Sequence, residues 1–353
     1  MAKYYLLPKN GKFYKANLHC HSTVSDGKWS PQQLKELYMS MGYSIIAYTD
    51  HTILVPHNDL SDENFLALNG YEVAISEGFH GDGLNSYRRG IHINYISLDK
   101  DKNTQYYLWL PTPDNPLYSQ KLVDDIQKYK VDVDKNTSDG MVYPRWTPVH
   151  INSLTKFLKE KGFFAVYNHP GWNMETYEQY SRYTEFDAME IANSLGIING
   201  NVDYCPAVYD EMLRSGTKLN CVATDDNHCN YPAKQEWGKS WTMIKADKLD
   251  YPTIAKALKD GAFYCSRGPE LENLWLDDNL VLHVECSEAV QITVSRASRK
   301  CHSTWQVDKP LTQAEFQLDK VNGFFRVTIT DKYGKVAHTN AYHFDDLEKY
   351  KED

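Results

Sequence analysis

Histidines and carboxylates gather in this chain at short, separated motifs. His19-Cys20-His21 is followed by Ser25-Asp26-Gly27, then by Thr49-Asp50-His51, Glu72, His92, Asn168-His169-Pro170 and Asp225-Asp226-Asn227-His228. These side chains suit borderline divalent metals: imidazole takes Zn, Mn, Fe, Co or Ni, and a carboxylate can bridge two ions. His19 and His21 are two apart on an expected strand end, so both face one way and can chelate one ion. One ion takes about four to six ligands; six histidines and three carboxylates exceed that and suffice for two or three ions. Taken singly, each residue has a plainer reading. A lone histidine is more often a surface or core residue, and His-x-His alone is a weak motif. Asp50 and Asp225 read equally as caps or as groups that orient imidazoles, and Glu190 as a sheet residue paired to a lysine. The weight lies in the conjunction and its order.

The elements that must position these residues alternate short apolar runs with helical stretches. The expected strands are Tyr14–His19, Ser44–Thr49, Phe65–Glu72, Ile91–Ile96, Phe163–His169, Phe186–Ile191 and Leu219–Thr224. Six of the seven carry a His, Asp or Glu at or just beyond the C-terminal end, where barrel folds build their sites; His92 departs, sitting near the start of its strand. Helices are expected at Gln32–Met41 (Ser30 as N-cap, Pro31 at N1), Gln120–Lys130, Val149–Lys161, Met174–Thr184, Ala207–Arg214 and Tyr251–Asp260. The alternation predicts an α/β fold with a mainly parallel sheet, closed into a distorted seven-stranded (β/α) barrel. It would span residues 1–268, with an irregular aromatic insertion at 99–148. From Pro269 the pattern becomes short alternating runs, which predict a small antiparallel, β-sandwich-like domain over 269–353.

Composition bounds the rest. Hydrophobic residues make up 42% and charged residues 24% of 353, which excludes a disordered chain. The net charge of −9 and the absence of a basic block argue against general nucleic-acid binding. No run approaches the ~18 apolar residues of a membrane span, and the first residues lack the pattern of a signal peptide. The expected compartment is therefore the cytoplasm. The seven cysteines contain no Cys-x-x-Cys and read as reduced thiols, with Cys20 and Cys229 as packing residues beside the motifs.

With these motifs in this order the chain resembles the PHP (polymerase and histidinol phosphatase) family of metal-dependent phosphoesterases, in its two-domain bacterial form, over roughly residues 14–268. His19-Cys20-His21-Ser22-Thr23 with Ser25-Asp26-Gly27 looks like the family's first motif. Thr49-Asp50-His51, Asn168-His169-Pro170 and Asp226-Asn227-His228 look like the second, third and fourth. The resemblance implies nine metal ligands: His19, His21, Asp26, His51, Glu72, His92, His169, Asp226 and His228, with Asp26 where some members have His. It implies two or three divalent ions (Mn, Zn or Fe) and Glu72 as a bridging carboxylate. The reaction it implies is hydrolysis of a small phosphoester, of the nucleotide or sugar-phosphate class, by a metal-bridging hydroxide. Asp226, His228 and Arg267 are the catalytic candidates. Arg267, in Ser266-Arg267-Gly268-Pro269, would clamp phosphate, as would Arg88 or Arg89; Asp225 or Asp226 would protonate the leaving group. Trp109, Trp146 and Trp172 could stack on a base or sugar. The partner expected is a small phosphorylated molecule, with no membrane and with an oligomer conceivable through the β domain. The alternatives are an amidohydrolase acting on a carbonyl and a non-catalytic metal-binding protein.

Overall fold

The computed structural model describes residues 3–76, 89–106, 116–134, 146–200, 202–230, 232–306, 308–320 and 323–352. Arg88, Trp109 and Arg145, named above or falling in the insertion, lie outside them.

All seven expected strands form, with small shifts of boundary. In chain order the first twelve strands are β1 (Lys3–Tyr5), β2 (Lys12–Asn17), β3 (Ile45–Tyr48), β4 (Leu66–Ser76), β5 (Gly90–Ser97), β6 (Thr104–Gln105), β7 (Asp132–Val133), β8 (Phe163–Tyr167), β9 (Ala188–Asn193), β10 (Asn220–Thr224), β11 (Trp241–Ala246) and β12 (Phe263–Ser266). The sheet order is β10-β9-β8-β5-β4-β3-β2-β11-β12, so the seven motif-bearing strands are contiguous. β2, β3 and β4 run parallel, as do β8, β9 and β10. β5 runs antiparallel to both its neighbours, β4 and β8, and β11 antiparallel to β2. Four of the six ladders among the seven motif-bearing strands are thus parallel, as expected, and the antiparallel β5 and β11 make the sheet mixed. This explains His92: the start of an antiparallel strand lies at the same rim as the ends of its neighbours.

No backbone ladder closes the sheet among the described residues. At the open edge a side chain stands in for a ladder. The Ala223 N–H donates to Thr242 Oγ1 (3.2 Å), and the Thr242 hydroxyl donates to the Ala223 carbonyl (3.1 Å). An isolated bridge between Cys20 and Asn227 ties the chain beyond β2 to the chain beyond β10.

The helices start and stop where their end residues dictate. Ser30 and Gln33 form a capping box before Pro31–Ser40. Asp250 caps Tyr251–Asp260, which ends at the left-handed Gly261. Pro148–Glu160, Pro206–Arg214 and Pro116–Tyr129 also form. The helix expected over Met174–Thr184 does not; only single turns stand at Pro170–Asn173 and Tyr177–Tyr180. Met174 is left-handed (φ 57°), and Glu175 is turned inward to Tyr167, Tyr183 and Trp146. Tertiary contacts here outweigh propensity.

The C-terminal strands are β13 (Leu271–Asp277), β14 (Val281–Ala289), β15 (Gln291–Arg296), β16 (His302–Trp305), β17 (Leu311–Gln317), β18 (Phe324–Thr330), β19 (Val336–Thr339) and β20 (Tyr342–His343). They form two layers, β1-β13-β14-β17 and β19-β18-β15-β16. Alternate residues from each, Leu274, Leu276, Leu282 and Val284 against Ile292, Val294, Val327 and Ile329, share one core. The boundary expected at residue 268 is crossed twice. β19 pairs with β12 and extends the large sheet, while β1 pairs with β13.

Candidate metal centre

The strand ends deliver the expected ligands to one cavity of ≈ 240 Å³, lined in part by Asp26, His51, Glu72, His92, His169, Asp226 and His228. Glu72 is buried at its centre. Its Oε1 lies 3.0 Å from His92 Nδ1, 3.3 Å from His169 Nε2 and 3.4 Å from His19 Nε2. Its Oε2 lies 2.9 Å from His51 Nδ1 and 3.4 Å from His21 Nε2. Each oxygen thus faces its own set of imidazoles, which is what a bridging carboxylate requires. Asp226 Oδ1 lies 3.2 Å from both His19 Nε2 and His21 Nε2, and those two nitrogens are 3.1 Å apart. Asp26, at the rim, faces His228 Nε2 at 3.4 Å, His21 Nδ1 at 3.7 Å and His51 Nε2 at 3.8 Å. Four groups able to hold an ion result: His21–Asp26–His51–His228, His19–His21–Glu72, His19–His169–Asp226 and His51–Glu72–His92.

These atoms fit a cation. Asp226 Oδ1 and the Nδ1 atoms of His21 and His169 are buried without a hydrogen-bond partner. A tetrahedral ion with bonds of about 2.0–2.1 Å places its ligand atoms about 3.3–3.4 Å apart, close to the spacings of His19, His21, Glu72 and Asp226. The charges are mutually held. Burial would raise the carboxyls of Glu72 and Asp226, but the surrounding imidazoles, chiefly His92 and His19 for Glu72 and His19 and His21 for Asp226, keep both well below the usual range. Burial would likewise lower His169, yet Glu72 and Asp226 push it up to about 9.

The backbone is strained where it delivers these groups. His169 (φ 23°) and Asp226 (φ 52°) are themselves left-handed, and Thr52 (φ 71°) and Cys229 (φ 53°) follow His51 and His228. Non-glycine residues in that region are uncommon and gather at functional sites. The Ser-Asp-Gly motif has a steric cause. A Cβ on Gly27 would meet the His21 carbonyl at 2.4 Å, so only glycine lets the Asp26 loop fold back onto the His21 strand end.

Other expected residues take other roles. Asp50 accepts from the backbone and hydroxyl of both Ser22 and Ser25, and so holds the loop before Asp26. Asp225 is spent on the N–H groups of Gly238, Lys239 and Ser240 and on the Tyr38 hydroxyl, which removes it as a proton donor at the cavity. Cys20 and Cys229 pack in an apolar cluster with Leu34 and Tyr38. Arg267 is not among the residues that line the cavity. Its N–H donates to Val336 along the β12–β19 seam, and its guanidinium lies over the Tyr204 ring at 6.0 Å. Arg89 stands over Trp146 at 5.0 Å, and no arginine among the described residues lines the cavity.

Other residues complete the site, some of them given no role by the sequence. Asn168 Nδ2 donates to Glu72 Oε1 (2.8 Å). Asn193, Leu195, Gly196, Asn199 and Asp203 also line the cavity. Asp203 lies in irregular chain, where no periodicity marks it. Trp172 closes the wall beside His92 and His169 and remains 42% exposed.

No family model matches the chain. A 5'-3' exoribonuclease of Haemophilus influenzae is 34% identical over 86 residues, which cover 24% of this chain and 30% of that enzyme. The chain thus aligns with under a third of that curated relative. Among solved structures, the chain is similar to a two-domain protein from Bacteroides vulgatus containing a predicted PHP-like metal-dependent phosphoesterase. That pair shares 14% identity over 96% of this chain and 98% of the other, with a TM-score of 0.43. It is also similar to an amidohydrolase from Chromobacterium violaceum with bound sulfate and no metal (15% identity, 60% and 87% covered, TM-score 0.38). A third similar structure is a protein from Bifidobacterium adolescentis named as a metal-dependent phosphoesterase (15% identity, 63% and 89% covered, TM-score 0.36).

Proposed function

We propose that this protein is a PHP-type, metal-dependent hydrolase of small phosphoesters, of the nucleotide or sugar-phosphate class. The observation that carries the reading is that all nine expected ligands fall into four overlapping groups built around Glu72, Asp226 and Asp26. Such a donor set, rich in imidazole and bridged by carboxylate, suits two or three ions of Mn, Zn or Fe. Bound there, divalent ions supply a water nucleophile at neutral pH and neutralise phosphoryl charge. The chain's own residues do the positioning. Glu72 spans the centre and keeps two imidazole sets in register. Asp26 stands at the mouth, with its side chain 54% exposed, where arriving phosphate displaces water. Trp172 offers a flat apolar face to the leaving group, with Asn199 also in the cavity lining; aromatic faces with a polar neighbour suit a base or sugar ring.

Phosphate release by Mn²⁺-loaded protein from nucleotides, sugar phosphates, histidinol phosphate and a short oligoribonucleotide tests this, with a His19→Ala, His21→Ala double variant alongside. The expected result is release that vanishes in the double variant. Release of amine or carboxylic acid from amide substrates, with none of phosphate, would replace the reading with a carbonyl hydrolase.

A further inference from the structure

We infer that Glu190, which is outside the nine-ligand set, is a positioning residue for the metal centre: its carboxylate fixes His19 with the proton on Nδ1 and Nε2 bare, and seats His169 and Asp226 for the same ion. The inference rests on the metal reading above.

Glu190 lies in β9 with no exposed surface. Its Oε1 faces His19 Nδ1 at 2.8 Å and accepts from the Thr224 hydroxyl at 2.5 Å. Its Oε2 accepts from the His169 backbone N–H at 2.7 Å and from Asn193 Nδ2 at 2.9 Å. Two partners on each oxygen fill the acceptor capacity of an ionised carboxylate. A glutamine would turn an NH₂ toward two of these groups. Facing an oxygen that only accepts, the His19 ring donates from Nδ1, so Nε2, which faces His21 Nε2 and Asp226 Oδ1, is the nitrogen left to ligate an ion. A carboxylate that fixes the ring orientation and tautomer of a ligating imidazole also raises its basicity as a ligand.

The same carboxylate reaches the other two members of one group. It holds the N–H of His169, whose backbone is strained at φ 23°. Through Asn193, whose amide also donates to Asp226 Oδ2 at 3.1 Å, it sets the orientation that leaves Asp226 Oδ1 toward the imidazoles. His19, His169 and Asp226 are the members of a single candidate ion group. Glu190 reaches the His21–Asp26–His51–His228 group only indirectly, through Asp226 and Glu72, so an effect of Glu190 on the ions should be selective.

The test uses full-length protein stripped of metal and titrated with Zn²⁺, with binding read by calorimetry and bound zinc counted. Glu190→Gln is expected to weaken one ion by about ten- to a hundredfold and to leave the others unchanged. Zinc-loaded wild-type protein, with ¹⁵N-labelled histidine, is expected to show His19 protonated at Nδ1 and ligating through Nε2. This second measurement decides the matter even where the variant fails to fold. Wild-type affinity for every ion in Glu190→Gln, equal weakening of all ions, or His19 ligating through Nδ1 would each overturn the inference alone. Wild-type protein that takes up no zinc would overturn the metal reading and this inference with it.

Discussion

At the scale of single residues, one carboxylate set among five imidazoles decides what the cavity can do. Glu72 is nearly inaccessible to solvent and lies within 3.4 Å of ring nitrogens from His19, His21, His51, His92 and His169. Glu72→Gln keeps the shape and removes the charge that draws those rings together. The expected outcome is loss of bound metal and a fall in phosphate release of more than about a hundredfold, checked by metal analysis beside the phosphate assay. A second buried acid lies outside the cavity and affects stability instead. Burial pushes Glu175 up to about 7, against hydrogen bonds from Tyr167, Tyr183 and Trp146 and the charge of Arg89. The unfolded chain releases that proton near about 4.3. Between the two values the folded state holds more protons, so stability falls as pH rises from about 4 through 7, then levels off. Thermal melts of wild type and Glu175→Gln across that range should diverge, with the flatter curve belonging to the variant.

At the scale of elements, the sequence shows strand positions better than strand directions. The apolar runs placed all seven strands of the motif-bearing sheet, and Asp250 and Gly261 bounded their helix, because burial and capping leave local marks. The direction of β5 leaves none, since it is set by pairing with β4 and β8, and so His92 looked misplaced until the sheet was known. The turns over Pro170–Tyr180 were hidden for a similar reason. Their helical period is overridden by the inward side chain of Glu175 and the left-handed Met174. Eight of the nine candidate ligands were legible because His and carboxylate recur at or just beyond strand ends. Glu190 and Asn193 were not, because a buried polar residue reveals its role only through its partners. Gly27 links motif to element. A Cβ there would press on the His21 carbonyl, a backbone atom that cannot rotate aside. Gly27→Ala should displace the loop carrying Asp26, at a cost of about 1–3 kcal/mol. Thermal melting and counting of bound metal should show lower stability and one ion fewer, with the His19–His169–Asp226 group intact.

At the scale of the whole molecule, the two halves are joined by more than a linker, because β12 hands the large sheet to β19 and a buried ion pair crosses the same seam. Arg326 in β18 holds Asp210, in the helix Pro206–Arg214, through two parallel bonds of 2.7 and 2.9 Å. Its remaining donors face Thr328 and His338. Burial and then the charges of Arg326 and Arg267 push His338 down to about 3, so it is a neutral ring that accepts or donates without adding charge. Arg326 is only 4% exposed, so its charge has little access to water once its partner is gone. Asp210→Ala should therefore destabilise the protein by about 3–5 kcal/mol, far more than an exposed pair would. The loss should come from the stranded guanidinium, not from a missing attraction, and a second variant separates these causes. Replacing both partners, Asp210→Leu with Arg326→Met, removes the buried charge along with its partner and should recover most of the loss. Denaturant unfolding of the two variants beside wild type measures this directly. Equal destabilisation in both would mean that the seam depends on the attraction itself, whereas recovery in the double variant would make the ion pair a device for matching the two halves in register.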